Sequence, residues 1–266
     1  MDTQSVGLES IPTEKPTANP DAVPPPAVRN PSQHGPSIDG ESGTVPGRRL
    51  VHEGGEQLKA LSQCRRFFAG KATPRIILPI LVVVIAARLA IGGWSWVDLA
   101  IVSGILALEP LTEWVIHVFV LHAKPRSVLG RPVDLHAAKK HRFHHLHPTD
   151  PHTSFVPLAD LLFLGAIAAA VQYTIVRSVG PFLSAVAVSL AMLLLYEWTH
   201  FLIHTAYKPR GRYYRYIWRA HRLHHYKNEH YWYGVTVHLG DHLLRTFPNK
   251  SDVPNSATAR TLGVDG

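Results

Sequence analysis

Residues 76–87 read Ile-Ile-Leu-Pro-Ile-Leu-Val-Val-Val-Ile-Ala-Ala, an uncharged and almost wholly apolar run. Three more apolar stretches follow, and each approaches the roughly 20 residues that a membrane-spanning helix needs. The sequence predicts four spans, over about residues 76–94, 97–121, 158–176 and 181–204. We expect two hairpins, with tight turns near 92–96 and 178–180 and with Arg88 reaching toward the membrane interface. Four buried core helices of a soluble protein are the alternative, which the apolar run disfavours.

The two ends of the chain differ in composition from the middle. The chain has 266 residues, and its first 50 contain nine prolines and few large apolar side chains. Such a segment cannot bury enough apolar surface to offset its ordering entropy, so we predict disorder over about residues 1–60. His34 and His52, in or beside this tail, are not expected to be ligands. Residues 61–248 are assigned to a membrane domain and residues 249–266 to a flexible C-terminal tail.

Lysine and arginine concentrate in two segments. The loop 123–156 carries six Lys/Arg against two Asp, and residues 207–266 carry ten Lys/Arg, whereas both tight turns are nearly free of them. The positive-inside rule then predicts that both termini and the long loop are cytoplasmic. The formal net charge of +8 would also suit a nucleic-acid-binding surface, but the apolar runs favour a membrane, so no nucleic-acid partner is expected.

Eighteen histidines are the chemical anomaly of the composition. Ten of them lie in four clusters: His117 and His122; His141, His144 and His145; His200 and His204; His221, His224 and His225. The clusters form an internal repeat, because each hairpin ends in Glu-Trp and a histidine pair, and His-Arg-x-His-His follows 19 or 17 residues later. Neutral imidazole suits iron, zinc and copper, and so many imidazoles with few carboxylates exclude a Ca²⁺ or Mg²⁺ cage. The only cysteine, Cys64, excludes a thiolate cluster within this sequence.

Helical spacing predicts how the clusters point. Positions i, i+3 and i+4 share a face, so the three histidines of each His-x-x-His-His are expected to converge. His200 and His204 lie one turn apart. His117 and His122 are five positions apart and would diverge by about 140° on a regular helix. We therefore predict a wide turn of the i→i+5 type near residues 118–122.

Other residues near the clusters are candidates for supporting roles. Glu113 and Glu197 each lie three or four positions before a histidine, so each can accept the second N–H of a ligand and orient it. A carboxylate that meets water at the membrane edge is the alternative reading. Tyr231, Trp232 and Tyr233 either shape a substrate entrance or belong to an interfacial aromatic belt.

Over about residues 108–248 the chain resembles the fatty acid hydroxylase/sterol desaturase superfamily, and within it the fatty acid 2-hydroxylases that act on sphingolipid acyl chains. The resemblance rests on Glu-Trp before the first pair, residues 135–150, Tyr-Glu-x-x-His at 196–200, and Tyr-Gly-Val-Thr at 233–236 followed by Asp241. It implies ten metal ligands, namely His117, His122, His141, His144, His145, His200, His204, His221, His224 and His225.

The resemblance also implies an all-α integral membrane fold, with four transmembrane helices in two hairpins capped by a cytosolic histidine-rich di-metal domain. It implies two iron ions (zinc being the alternative in isolated protein), O₂, a lipid substrate such as a fatty acyl chain of a sphingolipid or ceramide, and an electron donor of cytochrome b5 or ferredoxin type. The sequence contains no His-Pro-Gly-Gly segment, so the fused haem domain of some members is not expected in it.

The chain departs from the family pattern around Asp241. The family does not usually have histidine before this aspartate, yet His238 and His242 flank it here, and we expect them in a lid near the substrate entrance rather than as ligands. His136 is expected close to the ligands without being one of them.

Three other readings stay open. A carotenoid hydroxylase or a sterol oxidase/desaturase of the same superfamily would share the metal site, because the membrane-facing cavity selects the substrate. A three-cluster acyl desaturase is disfavoured by the four clusters. A membrane metal-binding or transport protein is the alternative outside catalysis, but transporters usually place ionisable ligands near the bilayer midplane.

Overall fold

Four helices of the computed structural model are long and apolar enough to cross a membrane, and they confirm the predicted spans. The structure describes residues 54–264; the predicted disorder of residues 1–53, and His34 and His52 with it, lies outside the described residues. The four helices are α2 (Ala72–Ile91), α3 (Trp96–Ile116) with a π-helical end (His117–Leu121), α5 (Leu158–Val176) and α6 (Val179–Ile203). α6 lies against the other three, so it forms the centre of the bundle.

Tight turns connect α2 to α3 and α5 to α6 as predicted, and the local sequence explains both turns. Gly92 and Gly93 adopt positive φ angles of 63° and 60° after α2, a region that glycine occupies without steric cost. Ser95 then caps the start of α3, its backbone N–H donating to Asp98 Oδ2 at 3.0 Å. Between α5 and α6 the chain reverses at Arg177, which takes a left-handed conformation with φ of 50°.

Arg88 is buried at the turn between α2 and α3 instead of extending outward from the helix, which corrects the prediction for this residue. Its side chain is buried, its Nη2 lies 2.7 Å from Asp98 Oδ1, and its Nε donates to Ser184 Oγ at 2.9 Å. The guanidinium also donates to the Gly92 carbonyl at 2.6 Å and lies 3.7 Å from the centre of the Trp94 ring. Because a paired and hydrogen-bonded charge tolerates burial, Arg88 joins α2, α3 and α6 at the turn instead of extending to water.

Shorter elements flank the ends of the spans that carry the histidines. They are α1 (Leu61–Ala69), a two-stranded hairpin of β1 (Arg126–Val128) and β2 (Arg131–Val133), α4 (His136–Leu146), α7 (Arg212–Tyr226), α8 (Leu239–Leu243) and 3₁₀ turns at Gly54–Gln57 and Lys250–Asp252. In the hairpin, Arg126 pairs with Val133 and Val128 with Arg131. Helix α1 covers the end of α6, where Cys64 is buried against Phe201 and Leu202.

Both predicted tails extend too far into the chain. Gly55 donates its N–H to the Thr149 carbonyl at 3.1 Å and accepts from the Ala206 N–H at 3.0 Å, so residues just before 60 are packed. A Cβ on Gly55 would lie 2.4 Å from the Thr149 carbonyl oxygen, which explains glycine there. At the other end Ala259 and Leu262 are buried. The described residues after 249 therefore belong to the folded cap, although their composition suggested flexibility.

Candidate metal centre

The ten predicted ligands form two groups of five in which the ring nitrogens converge. In each group one ring nitrogen of every histidine lies within 4.8 Å of those of the other four. Group one contains His117, His122, His141, His145 and His224, and group two contains His144, His200, His204, His221 and His225. The groups are adjacent, because the His145 and His225 rings stack with centres 4.0 Å apart.

Each group takes one histidine from the other half of the repeat. His144 lies on α4 with His141 and His145 but joins group two, and His224 lies on α7 but joins group one. The prediction that each triplet converges is therefore wrong. On a helix, position i+3 lies about 60° to one side of position i and position i+4 about 40° to the other, so adjacent histidines such as His144 and His145 diverge. Each triplet faces the space between the groups.

The predicted wide turn is present at the end of α3. Residues His117–Leu121 are π-helical, and the His122 N–H donates to the His117 carbonyl at 3.0 Å, an i→i+5 bond. The two rings lie with their centres 4.9 Å apart and belong to the same group. The π-turn thus brings together two side chains that a regular α-helix would separate.

Fixed acceptors orient half of the histidines through their Nδ1 atoms. The acceptors are the Tyr233 carbonyl for His117 (2.6 Å), Thr153 Oγ1 for His144 (3.0 Å), the Ala259 carbonyl for His145 (2.9 Å), the Ser154 carbonyl for His200 (2.8 Å) and the Tyr231 carbonyl for His224 (2.8 Å). A carbonyl only accepts, so in the four rings bonded to carbonyls Nδ1 carries the proton and Nε2 keeps a lone pair.

Buried ring nitrogens without a hydrogen-bond partner indicate whether the two histidine groups could accept a metal ion. Among the described residues, Nε2 of His145 and His200 and Nδ1 of His221 and His225 are buried and unpartnered. Such atoms are rare in folded proteins because each one costs free energy. Burial lowers the pKa of His145 to about 3, although its bond to the Ala259 carbonyl acts in the opposite direction. Neutral imidazoles whose unpartnered nitrogens are buried and converge fit soft or borderline metal cations.

The two glutamates contact loops rather than ligand histidines. The Glu113 carboxylate accepts from the backbone N–H groups of Val235 and Thr236 and from the Thr236 hydroxyl. The same loop contains Tyr233, whose carbonyl orients His117. The expectation that Glu113 accepts a hydrogen bond directly from a histidine is therefore replaced by an indirect role, in which Glu113 holds the loop whose Tyr233 carbonyl accepts that bond.

Glu197 repeats this arrangement in the other half of the chain. It accepts from the Val156 N–H at 2.7 Å, and the Ser154 carbonyl, two residues earlier, accepts from His200. The two halves therefore share one arrangement. The glutamate accepts a hydrogen bond from a loop N–H, and the loop carbonyl two residues earlier accepts from a histidine on the same helix as that glutamate. The loops are exchanged, because each follows the His-x-x-His-His cluster of the other half.

A comparison with protein families identifies the family of this chain. Residues 102–246, which are more than half of the chain and include all ten histidines, match the family model described as fatty acid hydroxylase. The chain belongs to the fatty acid hydroxylase family. The resemblance inferred from the motifs is thereby confirmed.

Relatives in this hydroxylase family include animal and plant enzymes. The chain is 29% identical over 140 residues to a fatty acid 2-hydroxylase of Macaca fascicularis and 30% identical over 141 residues to that of Homo sapiens. Each match covers 52% of this chain but only 37% of the relative, so the chain spans little over a third of their length. It is 24% identical over 179 residues to a dihydroceramide fatty acyl 2-hydroxylase, FAH2, of Arabidopsis thaliana, covering 66% of this chain and 73% of that one.

A solved structure shares the hydroxylase fold. It is described as full-length scs7p with only the hydroxylase domain visible, and it superposes with a TM-score of 0.57 at 22% identity. The superposition covers 69% of this chain and 68% of that chain. The match supports the predicted helical fold.

Asp241 organises the last loop of the hydroxylase domain. It accepts from the N–H groups of Tyr233 and Gly234 at 3.0 and 2.7 Å and from His238 Nδ1 at 2.8 Å. His238 is buried, yet it lies outside both histidine groups, as does His242, whose Nε2 lies 2.8 Å from the Tyr216 hydroxyl.

His136 contacts an aspartate rather than a histidine of either group. Its side chain is half exposed, and its Nδ1 lies 2.8 Å from Asp160 Oδ2 at the start of α5. Two aromatic residues, by contrast, are closer than expected. Trp232 is buried with a positive φ of 57°, and the Tyr233 ring centre lies 5.3–5.5 Å from those of His117, His122 and His224.

Sequence reasoning missed the acceptors that orient the histidines. Four of the five are backbone carbonyls, which any residue type supplies, and Ala259 lies in a segment with no motif. Only the Tyr-Gly-Val-Thr motif marked one of them, at Tyr233.

The metal-free protein is expected to lose stability as the pH falls below about 6.5. Burial lowers the pKa of His141, His221 and His225 well below the ordinary value. The unfolded chain, with ordinary pKa values, then binds more protons than the folded chain below about pH 6.5, and each such group removes up to about 1.4 kcal/mol per pH unit. Thermal unfolding of chelator-treated protein at pH 5.5, 7.5 and 8.5 measures this. An unfolding temperature that drops only at pH 5.5 is expected, and one that is equal at all three would contradict it.

Proposed function

We propose that this chain is a membrane-bound di-iron monooxygenase that hydroxylates the acyl chain of a lipid with O₂ and external electrons. The observation that carries this proposal is the pair of adjacent five-histidine groups in a member of the fatty acid hydroxylase family. The groups are built from the ends of two of the four apolar helices, α3 and α6, together with α4 and α7. The names of the mammalian and plant relatives support a fatty acyl chain of a sphingolipid or ceramide, and its carbon 2, as the substrate position.

The ten histidines would hold two metal ions, one in each group, and iron ions bound there would supply the redox chemistry that activates O₂. The protein's own contribution is to fix the ligands. Buried acceptors such as the Tyr233 and Ser154 carbonyls hold the rings, so the nitrogens need little rearrangement on binding. Nine of the ten histidines are buried and His122 is partly buried, which excludes bulk water from the reacting groups.

The surroundings of the site suit an acyl chain that arrives from the membrane. Val115, Ile116 and Phe119, at the end of α3, expose apolar side chains close to the ligand His117. Helix α8 exposes Leu239 and Leu243 and packs on α3, where a Cβ on Gly240 would lie 2.4 Å from the Pro110 carbonyl oxygen. These side chains form an apolar surface continuous with the spans, along which a lipid chain can enter.

The proposed reaction replaces one C–H bond by C–OH. One oxygen atom of O₂ enters the hydroxyl group and the other leaves as water, which requires two electrons and two protons. A cytochrome b5-type or ferredoxin-type carrier supplies the electrons one at a time. The concentration of Lys and Arg on the histidine side of the spans supports a cytoplasmic site that faces such a carrier.

Lipid mass spectrometry tests the proposal. The chain would be expressed in a host whose own acyl hydroxylases have been deleted, beside a His144→Ala/His224→Ala double variant, and the iron and zinc contents of the purified proteins measured. A new acyl or ceramide species heavier by one oxygen, absent with the variant, is expected.

Other outcomes of that experiment separate the remaining readings. An oxygenated carotenoid or sterol would indicate a carotenoid hydroxylase or a sterol oxidase of the same superfamily. A lipid that has lost two hydrogens would indicate desaturation. No lipid product with full iron occupancy and a supplied reductant would contradict the proposal, and metal flux into vesicles under those conditions would indicate transport.

A further inference from the structure

A basic cleft lies along the exposed side of α7, outside the two histidine groups. It has a volume of about 830 Å³, and its lining includes five exposed cationic residues, Lys208, Arg212, Arg215, Arg219 and Lys250. No aspartate or glutamate lines it. Within residues 54–264, none of these five side chains takes part in an ion pair or hydrogen bond. Unneutralised positive charge concentrated in a concave surface attracts acidic partners and steers their approach.

The floor of this basic cleft is close to the proposed ligands. It includes Ala220 and Leu223, which directly precede His221 and His224 in α7, and Trp232, which is 1% exposed. A single helix therefore separates the cleft from both histidine groups. Helix α7 thus carries both histidines of the two groups and residues that line the cleft.

Trp232 also connects the floor of the cleft to group one through its neighbours in the chain. The carbonyl of Tyr231 accepts from His224 Nδ1 at 2.8 Å, and the ring of Tyr233 packs against the rings of His117 and His122. The path from the Trp232 side chain to His224 thus runs through the backbone of two adjacent residues and one hydrogen bond. Such a path suits electron transfer better than it suits substrate access, since no opening to the histidines is needed.

We propose that the basic cleft is the docking surface for the acidic one-electron carrier protein that reduces this enzyme. This inference rests on the proposed function, because hydroxylation consumes two electrons that the lipid does not provide. Two reduced carriers would dock in turn, and each would be oxidised by one electron. O₂ takes up both electrons, and the two protons that balance them leave with the second oxygen as water.

The shape of the cleft favours a protein over the phosphates of a membrane surface. Membrane headgroups form a broad, flat layer, whereas the cations here surround a concavity whose lining includes Tyr216 and Phe247. Aromatic and arginine side chains together are typical of protein–protein interfaces. An acidic rim around an exposed redox group complements such a surface in charge and in shape.

Paired charge-reversal variants test the docking surface. Arg215→Glu/Arg219→Glu reverses two exposed charges one turn apart on α7, and Arg126→Glu/Arg131→Glu on the exposed β-hairpin makes the same change in net charge elsewhere. The full chain, in nanodiscs of neutral lipid, would be titrated with fluorescently labelled cytochrome b5 haem domain and with ferredoxin at low and high salt. Hydroxylation would be followed with each reduced carrier and, separately, with dithionite.

The expected result is specific to the cleft. For the carrier that binds, the α7 variant raises Kd by about tenfold or more at low salt, and the hairpin variant changes it little. Carrier-driven hydroxylation falls in parallel, whereas dithionite-driven hydroxylation stays at the wild-type rate because no ligand is altered. Carrier binding at the cleft without lipid hydroxylation under any condition would support the docking surface and contradict the proposed function.

Three results would overturn the docking surface. The first is an equal loss of affinity in both variants, which would indicate a non-specific charge effect. The second is carrier affinity unchanged in the α7 variant together with loss of the thermal stabilisation that added phosphatidylserine gives to wild type, which would assign the cleft to lipid. The third is absence of salt-sensitive binding of either carrier to the wild-type protein.

Discussion

Replacement of His224 by alanine is expected to leave about one metal ion per chain instead of two and to lower hydroxylation by at least about 100-fold. His224 supplies one of the five nitrogens of group one, and its Nδ1 is held by the Tyr231 carbonyl. Its removal opens group one while group two keeps all five of its histidines. Metal analysis of the purified variant and its rate of lipid hydroxylation measure the two effects.

Two double variants test the exchange of His224 between the halves. His224→Ala/His141→Ala damages group one twice, so it is expected to retain about one metal ion. His224→Ala/His221→Ala changes two residues of the same helix but damages both groups, so it is expected to retain nearly none. The opposite ranking would mean that His224 belongs with its helical neighbours. His242→Ala, outside both groups, is the matched control and should keep two ions.

Replacement of Glu113 by alanine is expected to destabilise the folded protein by about 3–5 kcal/mol and to reduce metal content with it. The change leaves the N–H groups of Val235 and Thr236 and the Thr236 hydroxyl without their buried acceptor. The same loop presents the Tyr233 carbonyl to His117, so loss of its anchor should also loosen a ligand. Thermal unfolding, with an expected decrease of roughly 10 °C, and metal analysis check this.

Two further substitutions make the Glu113 experiment specific. Glu113→Gln keeps one carbonyl oxygen as an acceptor and should recover part of both losses. Glu109→Ala removes a carboxylate one turn earlier on the same helix, whose contact with Thr236 is a distant 3.5 Å, and should have a much smaller effect. Equal losses for Glu109→Ala and Glu113→Ala would show that the loop is not held in the way described.

The spans of the fold could be predicted because lipid imposes a simple requirement. A long uncharged run such as residues 76–87 is compatible with few structures other than a membrane-spanning helix. The bounds of α5, Leu158–Val176, agree with the predicted span. The expectation for Arg88 was wrong because its partners, Asp98 and Ser184, lie 10 and 96 positions away and no local pattern reveals them. The segment around Ala259 was misjudged because its packing depends on the cap rather than on its own composition.

The candidate site was predictable where one helix determines the geometry. The five-residue interval between His117 and His122 requires a wide turn if both side chains are to meet, and the turn is there. The exchange of His144 and His224 was not predictable, because spacing gives the angles within a helix but not the position of the second helix. The same limit applies to Glu113, whose spacing to His117 suggested a direct bond, whereas its partners lie more than 120 positions later.

The exchanged histidines also determine at which point of translation the two histidine groups can be completed. Group one needs His224, and group two needs His225, although the first four histidines of group one have been made by residue 145. Group one is incomplete before residue 224 and group two before residue 225 has been translated, and the carbonyl that orients His145 comes later still, at Ala259. A chain terminated before residue 224 would therefore contain neither five-histidine group in full.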